Sequence, residues 1–180
     1  MIGIKLANRY EIVRSLGEGS MGVVYLARDP LLERDVAIKL VKESFLSPES
    51  LGRFRREALL VARFDHPSLV TVYDTGEHEG SLFFVMPYVE GESLRYLLKH
   101  GKLSVTDVLE MGFQVAEALE YSHTRGIIHR DIKPENVLIA FERSGLRARV
   151  TDFGLALASE DQRITGADVV VGTVAYLSPE

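Results

Sequence analysis

Apolar residues gather early in the chain into short runs rich in Val, Ile, Leu and Tyr, at Tyr10 to Leu16, Gly22 to Arg28 and Asp35 to Val41. Turn residues separate the runs, so the segment predicts an antiparallel meander. Ser47-Pro48 then opens a helix, with serine as cap and proline at the first helical position. That helix is expected to run to about Phe64, with Phe54, Glu57 and Val61 at helical spacing. Glu57 therefore falls on an apolar face, where a carboxylate needs a cation. Leu69 to Tyr73 and Leu82 to Val89 read as further strands of the same sheet, and Gly91 as the break that follows it. Beyond it, Ser93 to Lys99 predicts a short helix, and Ser104-Val105-Thr106-Asp107 resembles a capping box opening a longer helix to about His123. Strands first and helices later make the expected class α+β, in two parts, 1–90 and 91–180.

Composition narrows the function. With 180 residues, 46% hydrophobic and 26% charged, the chain is of ordinary globular type, with room for one or two small lobes. A formal net charge of -5 argues against nucleic acid as partner, which would call for a clustered basic face. The absence of cysteine excludes disulfides and thiolate metal sites and agrees with a reducing cytoplasm, the expected location. The first residues, Met1-Ile2-Gly3-Ile4-Lys5, lack the apolar core of a signal peptide. No run reaches the roughly 18 apolar residues of a membrane span, although a parent protein could carry an anchor beyond residue 180.

Two segments carry chemistry. Gly17-Glu18-Gly19-Ser20-Met21-Gly22 is followed by Val23-Val24-Tyr25-Leu26-Ala27, a strand signal where a dinucleotide fold would have a helix. It reads as a hairpin flap whose small glycines let backbone amides approach phosphate oxygens. The run His129-Arg130-Asp131-Ile132-Lys133-Pro134-Glu135-Asn136 sets a base, a cation and a metal-binding amide in one loop, and Asp152-Phe153-Gly154 follows after one hairpin. Phosphoryl transfer needs such groups close together.

In these motifs and their order the chain resembles the eukaryotic-like serine/threonine protein kinases, with a bacterial flavour in Arg53-Phe54-Arg55-Arg56-Glu57, Tyr88-Val89-Glu90-Gly91 and Tyr176-Leu177-Ser178-Pro179-Glu180. The resemblance implies a bilobal fold: an antiparallel small lobe with one helix, then a mainly helical large lobe. It implies ATP and Mg2+ as cofactors and a protein with a Ser or Thr acceptor as substrate. Lys39 of Val36-Ala37-Ile38-Lys39 would pair with the α- and β-phosphates, with Glu57 as its helix partner. Gly17, Glu18, Gly19, Ser20, Met21 and Gly22 would cover the phosphates. Met86 would be the gatekeeper, the Pro87 carbonyl and both polar backbone groups of Val89 would meet adenine, and Leu16, Val24, Ala37 and Leu138 would sandwich it. Proline at position 87, where the family more often has an acidic residue, removes a donor but keeps the carbonyl.

By the same resemblance Asp131 is the general base, Lys133 neutralises the transferring phosphoryl group, and Asn136 and Asp152 hold the metal. Lys133 two residues after Asp131, and Thr173 near the docking loop, are serine/threonine features. Thr165 is the expected phosphorylation switch, with Arg130 as receiver of its phosphate and pairing of two copies as a route to autophosphorylation. Ala140 to Arg147 reads as a surface loop extension. Family domains continue past the position of Glu180 with several helices, so the large lobe is expected to be incomplete and apolar surface beneath the loop exposed. Three readings stay apart: an active kinase; a pseudokinase, which predicts loss of Lys39, Asp131 or Asp152; and an inactive fragment serving as an interaction module. A small-molecule phosphotransferase is a weaker fourth.

Overall fold

The computed structural model of the chain describes residues 1–19, 22–42, 52, 56, 58–101, 103–143, 145–153 and 176. The chain divides into two compact units, Met1–Arg63 with Thr71–Tyr88, and Phe64–Val70 with Val89–Glu180. No helix among the described residues is long and apolar enough to cross a membrane.

The first unit is a six-stranded antiparallel sheet. Its strands are β1 (Lys5–Leu6), β2 (Tyr10–Glu18), β3 (Gly22–Asp29), β4 (Arg34–Val41), β5 (Asp74–His78) and β6 (Ser81–Pro87), in the order β1-β2-β3-β4-β6-β5. Four strands fall where the apolar runs predicted them, with ends shifted by one or two residues. The fifth does not. Leu69 to Tyr73 is no strand of this sheet: Leu69 makes a parallel bridge to Val150 in the second unit, and the fifth strand is Asp74–His78. That segment is polar because it lies at the sheet edge, where solvent rather than a neighbouring strand meets one side. The predicted start of the helix after Ser47 lies outside the described residues; residues 58–61 are helical, with Ala58 and Val61 buried.

Pairing register sorts the sheet into two faces, because directly opposed residues of an antiparallel pair share a side. Tyr25, Ala27, Val36, Ile38, Phe83 and Val85 pack with Leu6, Tyr10 and Ile12 into one apolar core. The opposite face carries the row Gly17, Val24, Lys39, Phe84 and, two residues along, the row Leu26, Ala37, Met86. The hairpin between β3 and β4 is locked from below by Asp29, a wholly buried carboxylate that accepts from Arg9 Nε at 3.0 Å and Nη2 at 2.6 Å and from the Leu31 and Leu32 amides.

The second unit contains β7 (Glu92–Ser93), α1 (Leu94–His100), α2 (Val105–His123), a 3-10 turn (Pro134–Asn136), β8 (Val137–Glu142) and β9 (Gly145–Val150). Ser93 caps α1 by accepting from the Tyr96 amide at 3.1 Å. The expected capping box is complete: Ser104 Oγ accepts from the Asp107 amide at 3.1 Å while Asp107 Oδ2 accepts from the Ser104 amide at 2.8 Å. One stripe of α2, Met111, Gln114, Ala118 and Ser122, is buried, and Met111 joins Val137, Ile139, Leu146 and Ala148 of the β8–β9 hairpin in a second core. Leu109 and Phe113 on α2 are exposed.

At Gly91 a Cβ would lie 2.2 Å from the Ile139 carbonyl oxygen, so glycine is what lets the chain pass the backbone of β8. The stretch from Ala140 to Arg147 is not a loop extension, since Ala140 pairs with Arg147, Phe141 with Leu146 and Glu142 with Gly145. The extra residues lengthen the hairpin's strands, and Phe141, on the same side of β8 as the buried Val137 and Ile139, lies beyond their core and is exposed.

Candidate active site

In the first unit the glycine-rich segment is the tip of the β2–β3 hairpin, closed by a bond from the Gly19 amide to the Gly22 carbonyl at 2.8 Å. The three glycines differ in what confines them. A Cβ on Gly22 would lie 2.1 Å from the Leu40 carbonyl oxygen, so this glycine serves the packing of β3 on β4. A Cβ on Gly17 would meet nothing within 4 Å, and one on Gly19 only the Gly22 oxygen at 4.0 Å. Glu18 is held by Lys42 at 2.8 Å, and this partner keeps its carboxyl below the ordinary 4.5. Ser20 and Met21 lie outside the described residues.

Val24, Ala37, Lys39 and Met86 share the face opposite the first core. Lys39, Ala37 and Met86 are buried there, and Pro87 ends β6 half-buried. The β2–β3 register slips between Ser15 and Gly17, which makes Leu16 the extra residue of a bulge. Bulges re-aim the residue they contain. Glu57 lies outside the described residues.

In the second unit, Asp131, Lys133 and Asn136 form one knot. Lys133 Nζ donates to Asp131 Oδ2 at 2.7 Å, and Asn136 Nδ2 donates both to that oxygen at 3.0 Å and to the Asp131 carbonyl at 2.8 Å. Proline at the start of the 3-10 turn and the bond from the Asn136 amide to the Lys133 carbonyl at 2.9 Å bring these side chains back onto Asp131. One carboxylate oxygen is thus fixed by two donors, which orients the other.

His129 has no role in the sequence reading, yet the knot hangs from it. The ring is buried; Nδ1 accepts from the Asp131 amide at 3.2 Å and Nε2 donates to the Thr151 carbonyl at 2.8 Å. An amide only donates and a carbonyl only accepts, so the ring is the neutral Nε2–H tautomer. Burial holds its pKa below the ordinary 6.5, against the raising effect of the Thr151 bond. The Thr151 amide in turn donates to the Asn136 carbonyl at 2.9 Å. Asp152 follows directly, and the Phe153 ring meets His129 at 4.4 Å and Phe64 at 5.4 Å, both edge to face. Arg130 and Asp152 both have φ of 65°, a region L side chains rarely adopt and one that clusters at working sites.

The donor set fits a hard cation. The Asn136 amide nitrogen is committed to Asp131, which turns its carbonyl oxygen the other way, and Asp152 supplies a carboxylate. Magnesium commonly takes one or two oxygens from protein, so the lack of three clustered His, Cys, Asp or Glu among the described residues does not count against it. Val89 is buried and Leu138 half-buried in this unit. Gly154, Thr165 and Thr173 lie outside the described residues.

The sequence pattern of the family described as "Protein kinase domain" matches residues 10–180. The serine/threonine-protein kinase PrkC of Bacillus subtilis is 42% identical over 182 residues, covering 100% of this chain and 28% of that relative. The serine/threonine-protein kinase PknB of Mycobacterium leprae is 43% identical over 182 residues, covering 97% and 29% respectively. The chain therefore spans under a third of the length of these relatives. Among solved structures, the Mycobacterium tuberculosis PknI kinase domain superposes with a TM-score of 0.74 at 36% identity, over 87% of this chain and 63% of that one.

Proposed function

The chain belongs to the protein kinase domain family, and from that premise we propose that its protein transfers the γ-phosphoryl group of ATP to Ser or Thr hydroxyls of proteins, with Mg2+. The observation that carries this reading is the knot at Asp131, where a carboxylate is held by Lys133 and Asn136 on one oxygen. Asp131 would accept the hydroxyl proton through its other oxygen, and Lys133, beside it, would stabilise charge building on the transferred group. Asn136 and Asp152 would hold Mg2+, which when bound neutralises phosphate charge. In the first unit, Lys39 would pair with the α- and β-phosphates, Gly17 and Gly19 would admit backbone amides to the phosphates, and Val24, Ala37, Met86 and the Pro87 carbonyl would receive adenine. Leu16, Val89 and Leu138 are proposed as further adenine contacts and Glu57 as the partner of Lys39. Thr165 is proposed as the phosphorylated switch, read by Arg130, with Thr173 near the acceptor and two copies pairing for autophosphorylation. The cytoplasm is proposed as the protein's site of action.

The deciding assay is Mg2+-dependent transfer of labelled γ-phosphate to a generic basic protein by the full-length protein and its Asp131→Asn variant. Transfer by the wild type that the variant loses is the expected result. ATP binding without transfer in the wild type would move the protein to the pseudokinase class.

A further inference from the structure

A glutamine in the apolar stripe of a helix is costly unless its amide is fully bonded. Gln114 stands in the buried stripe of α2 between Met111 and Ala118, and each of its polar groups has a protein partner. Its Nε2 donates to the Leu146 carbonyl at 2.9 Å and to Glu110 Oε1 at 3.3 Å, and its Oε1 accepts from the Ala148 amide at 2.8 Å. The orientation is unambiguous, because the carbonyl and carboxylate can only accept and the amide can only donate.

Those two backbone groups belong to the edge of β9, the last strand of the order β7-β8-β9. Along that edge Leu146 and Ala148 are served by Gln114, and Val150 by the Ser68 carbonyl at 2.9 Å and the Val70 amide at 2.8 Å. A side-chain amide therefore stands in for a missing strand for two residues, and a short backbone bridge continues the same line. Two residues beyond Val150 comes Asp152.

The geometry points to Gln114 as a positioning residue: it docks β9 onto α2 and thereby sets where Asp152 presents its carboxylate to the metal. This rests on the kinase reading given above. An apolar side chain of the same length would fill the space but leave the Leu146 carbonyl and Ala148 amide without partners, so β9 would shift to find others. The shift would reach Asp152 through three residues of backbone, whereas Asp131, Lys133 and Asn136 keep their own bonds.

The test uses the full-length protein, its Gln114→Met and its Gln114→Glu variants. Hydrogen exchange reads the Ala148 amide, and Mn2+ electron paramagnetic resonance reads metal binding to the ATP complex. In Gln114→Met, exchange at Ala148 is expected to rise at least about tenfold, and half-saturation by Mn2+ to need roughly tenfold more metal, the scale seen when support of a metal ligand is lost. Metal-free ATP binding stays unchanged. A folded Gln114→Met with wild-type Mn2+ affinity overturns the inference. If that variant does not fold, Gln114→Glu decides. Its ionised carboxylate would face the Leu146 carbonyl and Glu110, and protonation restores a donor, so its Mn2+ affinity relative to wild type must recover as pH falls; a constant ratio overturns the inference. Wild type that neither binds the Mn2+–ATP complex nor transfers phosphate sinks the kinase reading instead, a result separate from either.

Discussion

Asp131 and Lys133, two residues apart, form an ion pair of 2.7 Å between Oδ2 and Nζ, and Asn136 donates to the same oxygen at 3.0 Å. Both donors converge on one atom, so the loop chooses which carboxylate oxygen faces away from Lys133 and Asn136. Asp131→Asn should lower transfer by about 10²- to 10⁴-fold, the usual share of a positioned base, with ATP binding retained. Lys133→Ala and Asn136→Ala should be non-additive in a double-mutant cycle of kcat, because each loosens the same oxygen. Strict additivity would show that the shared contact does not matter.

The glycines of the first hairpin should separate by readout. Gly22→Ala forces a Cβ against the Leu40 carbonyl, 2.1 Å away, and is expected to cost about 1–3 kcal/mol as overpacking does. Gly17→Ala meets nothing within 4 Å, so melting temperature should hold while KM for ATP rises. A melting temperature that drops equally in both would remove the distinction.

His129 predicts an acid-sensitive fold. Burial lowers its pKa from 6.5, so below that value the unfolded chain takes up a proton that the folded chain refuses. Stability attributable to the neutral ring is complete above pH 6.5 and declines as pH falls from there toward the depressed folded value. Urea midpoints between pH 7.5 and 5.5 should fall more steeply for the wild type than for His129→Gln. Parallel curves would place the titration elsewhere.

Asp29 and Asp35 offer a paired comparison. Asp29 is wholly buried and takes two bonds from Arg9, whereas the Arg28–Asp35 pair at 3.1 Å is exposed on both sides. Arg9→Ala should lower the melting temperature clearly and Arg28→Ala hardly, since exposed pairs contribute little. The Arg9 bonds hold the Asp29 carboxyl below its ordinary 3.8, so their contribution is present above that pH and is lost as pH falls through the depressed value.

Much of this protein could be read from residues alone where local chemistry decides the outcome. The capping box at Ser104 and Asp107, the hairpin at Gly17 to Gly22 and the short spacing of Asp131, Lys133 and Asn136 are local, and the structure builds each of them. Segments whose character comes from neighbours were misread. Asp74–His78 is a strand only because β6 pairs with it, and Leu69 is apolar because it is buried and bridges Val150. Ala140 to Arg147 reads as a loop, yet Ala140, Phe141 and Glu142 pair with Arg147, Leu146 and Gly145.

Short-range spacing and turn chemistry are enough to set the family, the strand-then-helix order and the identity of the groups on the Asp131 loop. Long-range packing is what makes His129 a neutral link between Asp131 and Thr151 and lets Gln114 substitute for a strand at the edge of β9. Each role depends on at least one hydrogen-bond partner 22 to 34 residues away. A buried polar side chain takes its meaning from whichever distant backbone group it must satisfy.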